Sequence, residues 1–323
     1  MTKQKITLGI DIGGTTTTFG YVDFEGNIIA EAQIPTQAED HVTSYLPRVF
    51  EAVKELFTQI SNDYELIGIG IGAPNANYYR GTVENPPNLK WGGVVHIADI
   101  FEKEFKVPTV ITNDANAAAI GEMKFGIAKG MKNFILITLG TGLGSGFIVN
   151  GELVYGHSGF AGEMGHVQVN PNGRKCGCGK VGCLETYVSV TGIRRTVSKL
   201  LADTMEFSEL RNVSQNDLTG EMITQAALKG DKVAIDAFEY TANVLGRALA
   251  NAVAHTSPEA IILFGGLANA RDLIIQPTLN YMDKHLFSVF KGTVRIMLSG
   301  LMDQNAAVLG ASALLWHELE KKD

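Results

Sequence analysis

Residues 6–29 read Ile-Thr-Leu-Gly-Ile-Asp-Ile-Gly-Gly-Thr-Thr-Thr-Thr-Phe-Gly-Tyr-Val-Asp-Phe-Glu-Gly-Asn-Ile-Ile, and residues 134–154 read Phe-Ile-Leu-Ile-Thr-Leu-Gly-Thr-Gly-Leu-Gly-Ser-Gly-Phe-Ile-Val-Asn-Gly-Glu-Leu-Val. Each stretch is an apolar strand, a Gly/Thr-rich turn, a second apolar strand, and a Gly-Asn or Asn-Gly turn into a third. Two copies of one unusual hairpin predict a duplicated domain in which each copy starts a sheet. Further strands are expected at 66–71, 108–112, 260–264 and 293–298. Helical periodicity runs over about 42–60, 114–125, 186–203, 221–228, 232–255, 271–287 and 304–320. Strands alternating with helices call for an α/β architecture with mixed sheets.

The domain boundary is expected near residue 115, giving a small domain of 1–115 and a large one of 116–304. The last helix, about 305–323, carries Ala306, Ala307, Gly310, Ala311 and Ala313, a small-residue face that predicts a close crossing back onto the first domain. The polar stretch 204–219 reads as a surface loop.

The chain has 323 residues, 45% hydrophobic and 19% charged, which fits a soluble globular protein of two domains. A net charge of −7 with no long run of one sign argues against nucleic acid or an anionic membrane as the main partner. No secretory h-region or membrane-length apolar run is present, so a cytoplasmic protein is expected. All three cysteines fall in Cys176-Gly-Cys178-Gly-Lys-Val-Gly-Cys183. So tight a thiolate cluster suits a soft cation in a reducing compartment better than a disulfide framework. Zn²⁺ wants four N/S ligands, and three cysteines leave one place for a histidine. His166 and His157 compete for it, and four protein ligands would close the shell and make the metal structural. A zinc-ribbon nucleic-acid module would need a basic, aromatic setting, and only Arg174, Lys175 and Lys180 are near.

Asp11-Ile12-Gly13-Gly14-Thr15 and Gly140-Thr141-Gly142 are candidate phosphate loops. Glycines let the backbone approach an anion, bare N–H groups and Thr hydroxyls can bind its oxygens, and an Asp at the strand end can hold Mg²⁺. Either loop alone is better explained as a tight hairpin turn. A third turn, Gly265-Gly266, follows a buried strand and precedes a helix, where open α/β sheets bind ligands. Three such turns favour a nucleotide site. No Gly-x₄-Gly-Lys-Ser/Thr occurs, and Gly68-Ile-Gly70-Ile-Gly72-Ala73 fits a dinucleotide pattern only formally, since Pro74 follows where a helix should open.

Asp11-Ile-Gly-Gly-Thr15, Asn113-Asp114, Gly140-Thr-Gly142, Gly162-Glu163-Met-Gly165-His166 and Cys176-Gly-Cys178-Gly-Lys-Val-Gly-Cys183-Leu-Glu185 resemble, in order, the ROK family of bacterial sugar kinases and repressors. The resemblance runs from residue 8 to about 312. It implies two actin-like (ribonuclease H-like) α/β domains with a sugar and ATP cleft between them. It implies Asp114 as catalytic base, where the residue alone reads equally as a helix cap. The hexose contacts it implies are Gly72, Asn88 in the 85–91 loop, Asn113, Glu163, His166 and Glu185. By themselves Glu163 reads as a solvated loop charge and Glu185 as an acid at a helix N-terminus. The resemblance implies nucleotide contacts at Asp11, Gly13, Gly14, Thr15, Gly140, Thr141, Gly142, Gly265 and Gly266. For a structural Zn²⁺ it implies His166, Cys176, Cys178 and Cys183, with ATP and Mg²⁺ as the other cofactors. Repressors of the family carry a DNA-binding module ahead of the first hairpin, and the few residues here before it favour the enzyme. The implied activity is transfer of the ATP γ-phosphate to the 6-hydroxyl of a hexose, glucose first, by a homodimer. N-acetylglucosamine, N-acetylmannosamine, fructose or mannose kinases of the same family are the alternatives, and a non-catalytic sugar-sensing regulator is the rival of another class.

Overall fold

The structure, a computed structural model, describes residues 3–302 and 304–321. It divides into two compact units: residues 1–131, 153–161 and 300–323 form the first, and residues 132–152 and 162–299 the second. The first unit therefore extends past residue 115, the expected boundary, to residue 131, because the helix starting at Asp114 packs against the C-terminal helix of that unit.

In the first unit, β1 (Gln4–Ile12), β2 (Thr16–Val22), β3 (Ile28–Pro35), β4 (Tyr64–Gly72) and β8 (Thr109–Thr112) form a sheet in the order β3-β2-β1-β4-β8. Strand β1 is antiparallel to β2 and parallel to β4. Helices α1 (Val42–Thr58), α2 (Ile97–Phe105) and α3 (Asp114–Lys124) belong to this unit, as does a small sheet of β5 (Ala76–Asn77), β6 (Thr82–Glu84) and β7 (Val94–Val95). In the second unit, β9 (Phe134–Leu139), β10 (Leu143–Val149), β11 (Glu152–Leu153), β12 (Ala260–Phe264) and β13 (Arg295–Leu298) follow the order β11-β10-β9-β12-β13. There β9 is antiparallel to β10 and parallel to β12. The echo in the sequence is an echo in topology, and the fold is a pair of actin-like α/β units. Helices α4 (Val190–Asp203), α5 (Gly220–Leu228), α6 (Lys232–Thr256) and α7 (Asp272–His285) complete the second unit, and α8 (Ala306–Glu320) returns to the first. Helix α2 and the β5–β7 sheet were not expected from the sequence, and residues 209–212 of the expected 204–219 loop form a 3₁₀ turn. Among the described residues no helix is long and apolar enough to cross a membrane.

Strand alternation explains why α8 lies where it does. Ile6, Leu8, Ile10 and Ile12 are buried with Ile69, Ile71, Val49, Val53 and Phe101 in one core, each such side chain contributing about 1.5–3 kcal/mol. The opposite face of β1 and β4 presents Thr7, Gly9, Gly68 and Gly70. A Cβ on Gly9 would lie 2.2 Å from the Val308 carbonyl oxygen, and one on Gly70 would lie 1.8 Å from that of Ala311. Gly68 and Gly70 are thus a track on which α8 beds, not part of a dinucleotide loop. Thr7 and Ser312 share a buried hydroxyl hydrogen bond of 2.6 Å across the contact. The same helix meets α3, where a Cβ on Gly121 would sit 2.9 Å from Gly310 Cα. Helix α3, with Asn113 as its cap and Asp114 as its first residue, is therefore held through α8 against the sheet whose β1 carries Asp11 next to its end.

Candidate active site

The first hairpin is fixed from beneath. Thr36 donates its hydroxyl to the Gly13 carbonyl at 2.8 Å, and Thr17 joins Thr36 and the Tyr45 hydroxyl, each at 2.9 Å. The Gly13 N–H closes the turn on the Thr16 carbonyl at 3.1 Å. Thr15 and its neighbours are left facing outward, with backbone and hydroxyl groups available to an anion. Asn88 backs onto this turn: a Cβ on Gly14 would lie 3.1 Å from Asn88 Cβ. Buried Leu89 and Trp91, the latter 5.0 Å from the Tyr45 ring, anchor the 85–91 loop there.

Asp11 pairs in register with Gly72, and Gly72 leaves space that a Cβ would take at 3.5 Å from Asp11 Oδ1 and 3.8 Å from Asp114 Cα. Burial, and then the charge of Asp114, push the Asp11 carboxyl up to about 7. Asp114 is raised by burial as well, opposed by the N–H of Ala115, which donates to its Oδ1 at 2.8 Å. Its side chain nonetheless has solvent access, so the upward push comes from a recessed, crowded position rather than from full exclusion of water. Two neighbouring carboxyls, both raised, form a place for a cation or a proton. The cap of α3 is Asn113, whose Oδ1 accepts from Asn116 N–H at 2.7 Å. Asp114 is thereby relieved of capping, and Asn113 keeps its Nδ2 group as a donor to a ligand.

Asp11 also makes stability depend on pH. The folded state holds its proton up to about pH 7, whereas an unfolded Asp releases it near 4. Between those values the native state binds more protons, so stability falls as pH rises and then levels off. Asp11→Asn should therefore stabilise the ligand-free protein at pH 8 by on the order of 1–2 kcal/mol after solvent screening, seen as a higher melting temperature, and flatten the decline between pH 4 and 7. Thermal melts across pH in chelator check this; a variant that is no more stable at pH 8 would rule it out.

In the second unit, the Gly140–Gly142 turn is closed by Gly140 N–H on the Gly142 carbonyl at 3.1 Å, and the Gly140 carbonyl accepts Val190 N–H at 2.9 Å. Gly265, at φ +99°, brings its turn against Leu139, whose carbonyl accepts Leu267 N–H at 3.0 Å. The two glycine turns and the start of α4 thus adjoin one another.

Glu185 lies against the same turn: a Cβ on Gly142 would be 2.9 Å from its Oε2. Its Oε1 accepts from Cys176 Sγ at 2.9 Å and stands 3.6 Å from His166 Nδ1. Helix α4 is capped by Ser189, and Glu185 sits in the preceding 3₁₀ turn Leu184–Thr186, so it is not a dipole-seeking acid of the helix. Glu163 is exposed ahead of the 3₁₀ turn Met164–His166. That turn fits only because Gly165 has no side chain; a Cβ there would strike the Leu143 carbonyl at 2.2 Å.

His166, Cys176, Cys178 and Cys183 converge, with one ligand atom from each all within 4.8 Å of one another, and can hold a metal ion. His157 lies in the other unit, and the group that the structure assembles uses His166. With Zn–S of about 2.3 Å and Zn–N of about 2.0 Å, a tetrahedron has S–S and S–N edges of roughly 3.8 and 3.5 Å. Cys178 Sγ to Cys183 Sγ and Cys176 Sγ to His166 Nδ1 are each 3.7 Å. Burial, followed by the Glu185 carboxylate, pushes the Cys176 thiol up, and burial raises Cys183. Such thiols ionise readily only opposite a cation. The donor set therefore fits zinc.

Arg174, Tyr187, Ser145 and the Thr17–Thr36–Tyr45 chain support these groups without having been singled out in the sequence. Ser145 donates to the Gly162 carbonyl and accepts Met164 N–H at 3.1 Å, steadying the segment that bears Glu163.

The ROK family profile matches residues 7–318. The glucokinase of Halalkalibacterium halodurans is 36% identical over 86% of this chain and 85% of its own length. The xylose repressor of Caldicellulosiruptor bescii is 30% identical over 95% of this chain and 77% of the repressor. The crystal structure of a ROK family glucokinase from Streptomyces griseus in complex with glucose and AMPPNP superposes with a TM-score of 0.78, at 33% identity, covering 96% of this chain and 98% of that one. By a profile match that spans nearly its whole length, the chain belongs to the ROK family.

Proposed function

We propose that the chain is an ATP-dependent hexokinase that transfers the γ-phosphate to the 6-hydroxyl of a hexose, glucose first. The observation that carries this reading is Asp114: a carboxylate at the start of α3, free of the capping role, with its proton affinity raised beside Asp11. A base tuned upward is the better acceptor for a hydroxyl proton at neutral pH. A regulator that only senses sugar has no need of it.

Asp114 takes the proton of the primary hydroxyl as that oxygen bonds to the γ-phosphorus and the bond to the β–γ bridging oxygen breaks, so that sugar phosphate and ADP form. Asn113, through Nδ2, together with Asn88, Glu163, His166 and Glu185, meets the remaining hydroxyls, which both donate and accept. Gly72 keeps the floor beside Asp11 and Asp114 open. Gly13, Gly14 and Thr15, and likewise Gly140, Thr141, Gly142, Gly265 and Gly266, are the turns we assign to the nucleotide, each offering backbone donors to its phosphates. Mg²⁺ arriving with ATP would neutralise phosphate charge, with Asp11 as the carboxylate nearest to hold it. A zinc ion on His166, Cys176, Cys178 and Cys183 would be structural; with Nδ1 on the metal, His166 Nε2 keeps its hydrogen for a hydroxyl. Cytoplasmic location and a homodimer complete the reading.

The preference for glucose is supported by the glucokinase relatives and not by a pocket dimension. A coupled ATP assay over glucose, mannose, fructose, allose, N-acetylglucosamine and N-acetylmannosamine should give glucose the highest kcat/KM, by about tenfold or more. A faster N-acetylhexosamine would move the substrate within the sugar kinases. No turnover with any sugar would leave the regulator.

A further inference from the structure

Arg174 lies beside the cysteines and has no part in holding the metal or the phosphates. Its guanidinium is half-buried, and its hydrogen bonds join the Leu184–Thr186 turn to the first turns of α4. One terminal nitrogen donates to the Thr186 carbonyl at 2.7 Å and to the Gly192 carbonyl at 2.9 Å; the other donates to Thr196 Oγ1 at 2.9 Å. The group lies 4.6 Å from the centre of the Tyr187 ring. Its backbone is engaged too, with N–H donating to the Tyr187 hydroxyl at 3.0 Å and the carbonyl accepting Gly182 N–H at 2.7 Å. Gly192 permits the contact, since a Cβ there would stand 2.6 Å from the Tyr187 carbonyl carbon. A planar fork is suited to such a task and an ammonium is not.

Thr186 follows Glu185 directly. From these contacts we infer that Arg174 is the positioning residue for Glu185, tying the Glu185–Thr186–Tyr187 turn to the first turns of α4 independently of the metal. The cysteine loop flanks the Glu185 side chain at one end, with Cys176 Sγ 2.9 Å and His166 Nδ1 3.6 Å from its Oε1, and Arg174 holds the backbone of the residue that follows it at the other. This rests on the reading that Glu185 meets the sugar.

The test is a double-mutant cycle with Arg174→Lys and Glu185→Gln, each scored for zinc content, melting temperature and KM for the best hexose and for ATP. Arg174→Lys should raise the KM for hexose about tenfold, with one zinc per chain retained and the KM for ATP changed far less. On the Glu185→Gln background it should add little, because the Lys variant acts through that carboxylate. A merely structural role would give additive effects and move both substrates together. Thr196→Val, which removes one acceptor, should raise the hexose KM by about two- to threefold and serves if the Lys variant fails to fold. If Glu185→Gln raises the hexose KM while Arg174→Lys and Thr196→Val leave it unchanged, or if the effects add, Arg174 has no positioning role. If Glu185→Gln itself leaves the hexose KM unchanged, the assignment of Glu185 to the sugar falls and the inference falls with it.

Discussion

Asp114→Asn should lower hexose phosphorylation by about 10³-fold, within the range a positioned general base supplies, while hexose affinity changes by less than about threefold. The substitution keeps the shape of the side chain, and its amide oxygen can still accept the Ala115 N–H that now holds Oδ1 at 2.8 Å. Helix α3 is unaffected because its cap is Asn113. What disappears is the capacity to accept a proton, so the loss belongs in kcat. A second readout comes from pH. Burial raises the Asp114 carboxyl above its ordinary value, and the base must be ionised to work. The acid limb of kcat/KM in the parent enzyme should therefore lie above the usual carboxylate range, and activity should fall as pH drops through it. Equilibrium hexose binding, measured by calorimetry, separates the two effects. A variant that turns over near the parental rate would remove Asp114 from the chemistry.

The parts of this molecule that were legible in the sequence are those with a local physical cause. The duplicated hairpin was readable because strand alternation and Gly-Asn turns are short-range signals, and it gave both sheets their first strands. Helices α3 to α8 were readable from periodicity, and most begin at a polar cap such as Asn113, Ser189, Thr219, Asp231 or Asn305. Helix α2 was missed; it is only nine residues long and ends on Lys106 in a left-handed conformation with no glycine to mark it. The small sheet β5–β7 was missed because its strands are two or three residues long. At the site, residue types named the chemistry but tertiary contacts assigned the work. The sequence left Asp114 poised between cap and base, and one hydrogen bond to Asn113 separates them. Glu185 read as a helix acid because α4 was expected from residue 186, whereas it starts at Val190. Arg174 could not have been found, since its partners at Thr186, Gly192 and Thr196 are ordinary residues whose carbonyls and hydroxyl matter only once the chain has turned back. The glycine track on β4 was misleading in isolation, and only the approach of α8 explains it.

Removal of the metal should damage sugar recognition before it damages the nucleotide turns. Protein as purified should carry about one zinc per chain, as a closed four-ligand site predicts. Stripping it with a strong chelator, or replacing the fully buried Cys183 with Ser, should raise the hexose KM about tenfold or more and lower the melting temperature. The reason is local. Without a cation, the raised thiols of Cys176 and Cys183 must stay protonated in a crowded loop, and nothing draws His166 Nδ1 and Cys176 Sγ to 3.7 Å. His166 then loses the partner that aims it, and the loop that flanks Glu185 Oε1 is set loose. Two glycines in left-handed turns, Gly179 and Gly182, give this loop many open conformations to fall into once the cross-link is gone. The Gly13–Gly14 turn, by contrast, is held by Thr36, Thr17 and Tyr45 in the first unit, with no dependence on the metal. Nucleotide affinity should accordingly fall less than hexose affinity, and adding zinc back to the stripped protein should restore both. Metal-free protein that kept the parental hexose KM would show that the loop holds its shape by hydrogen bonds alone, and would make the cysteines incidental to recognition.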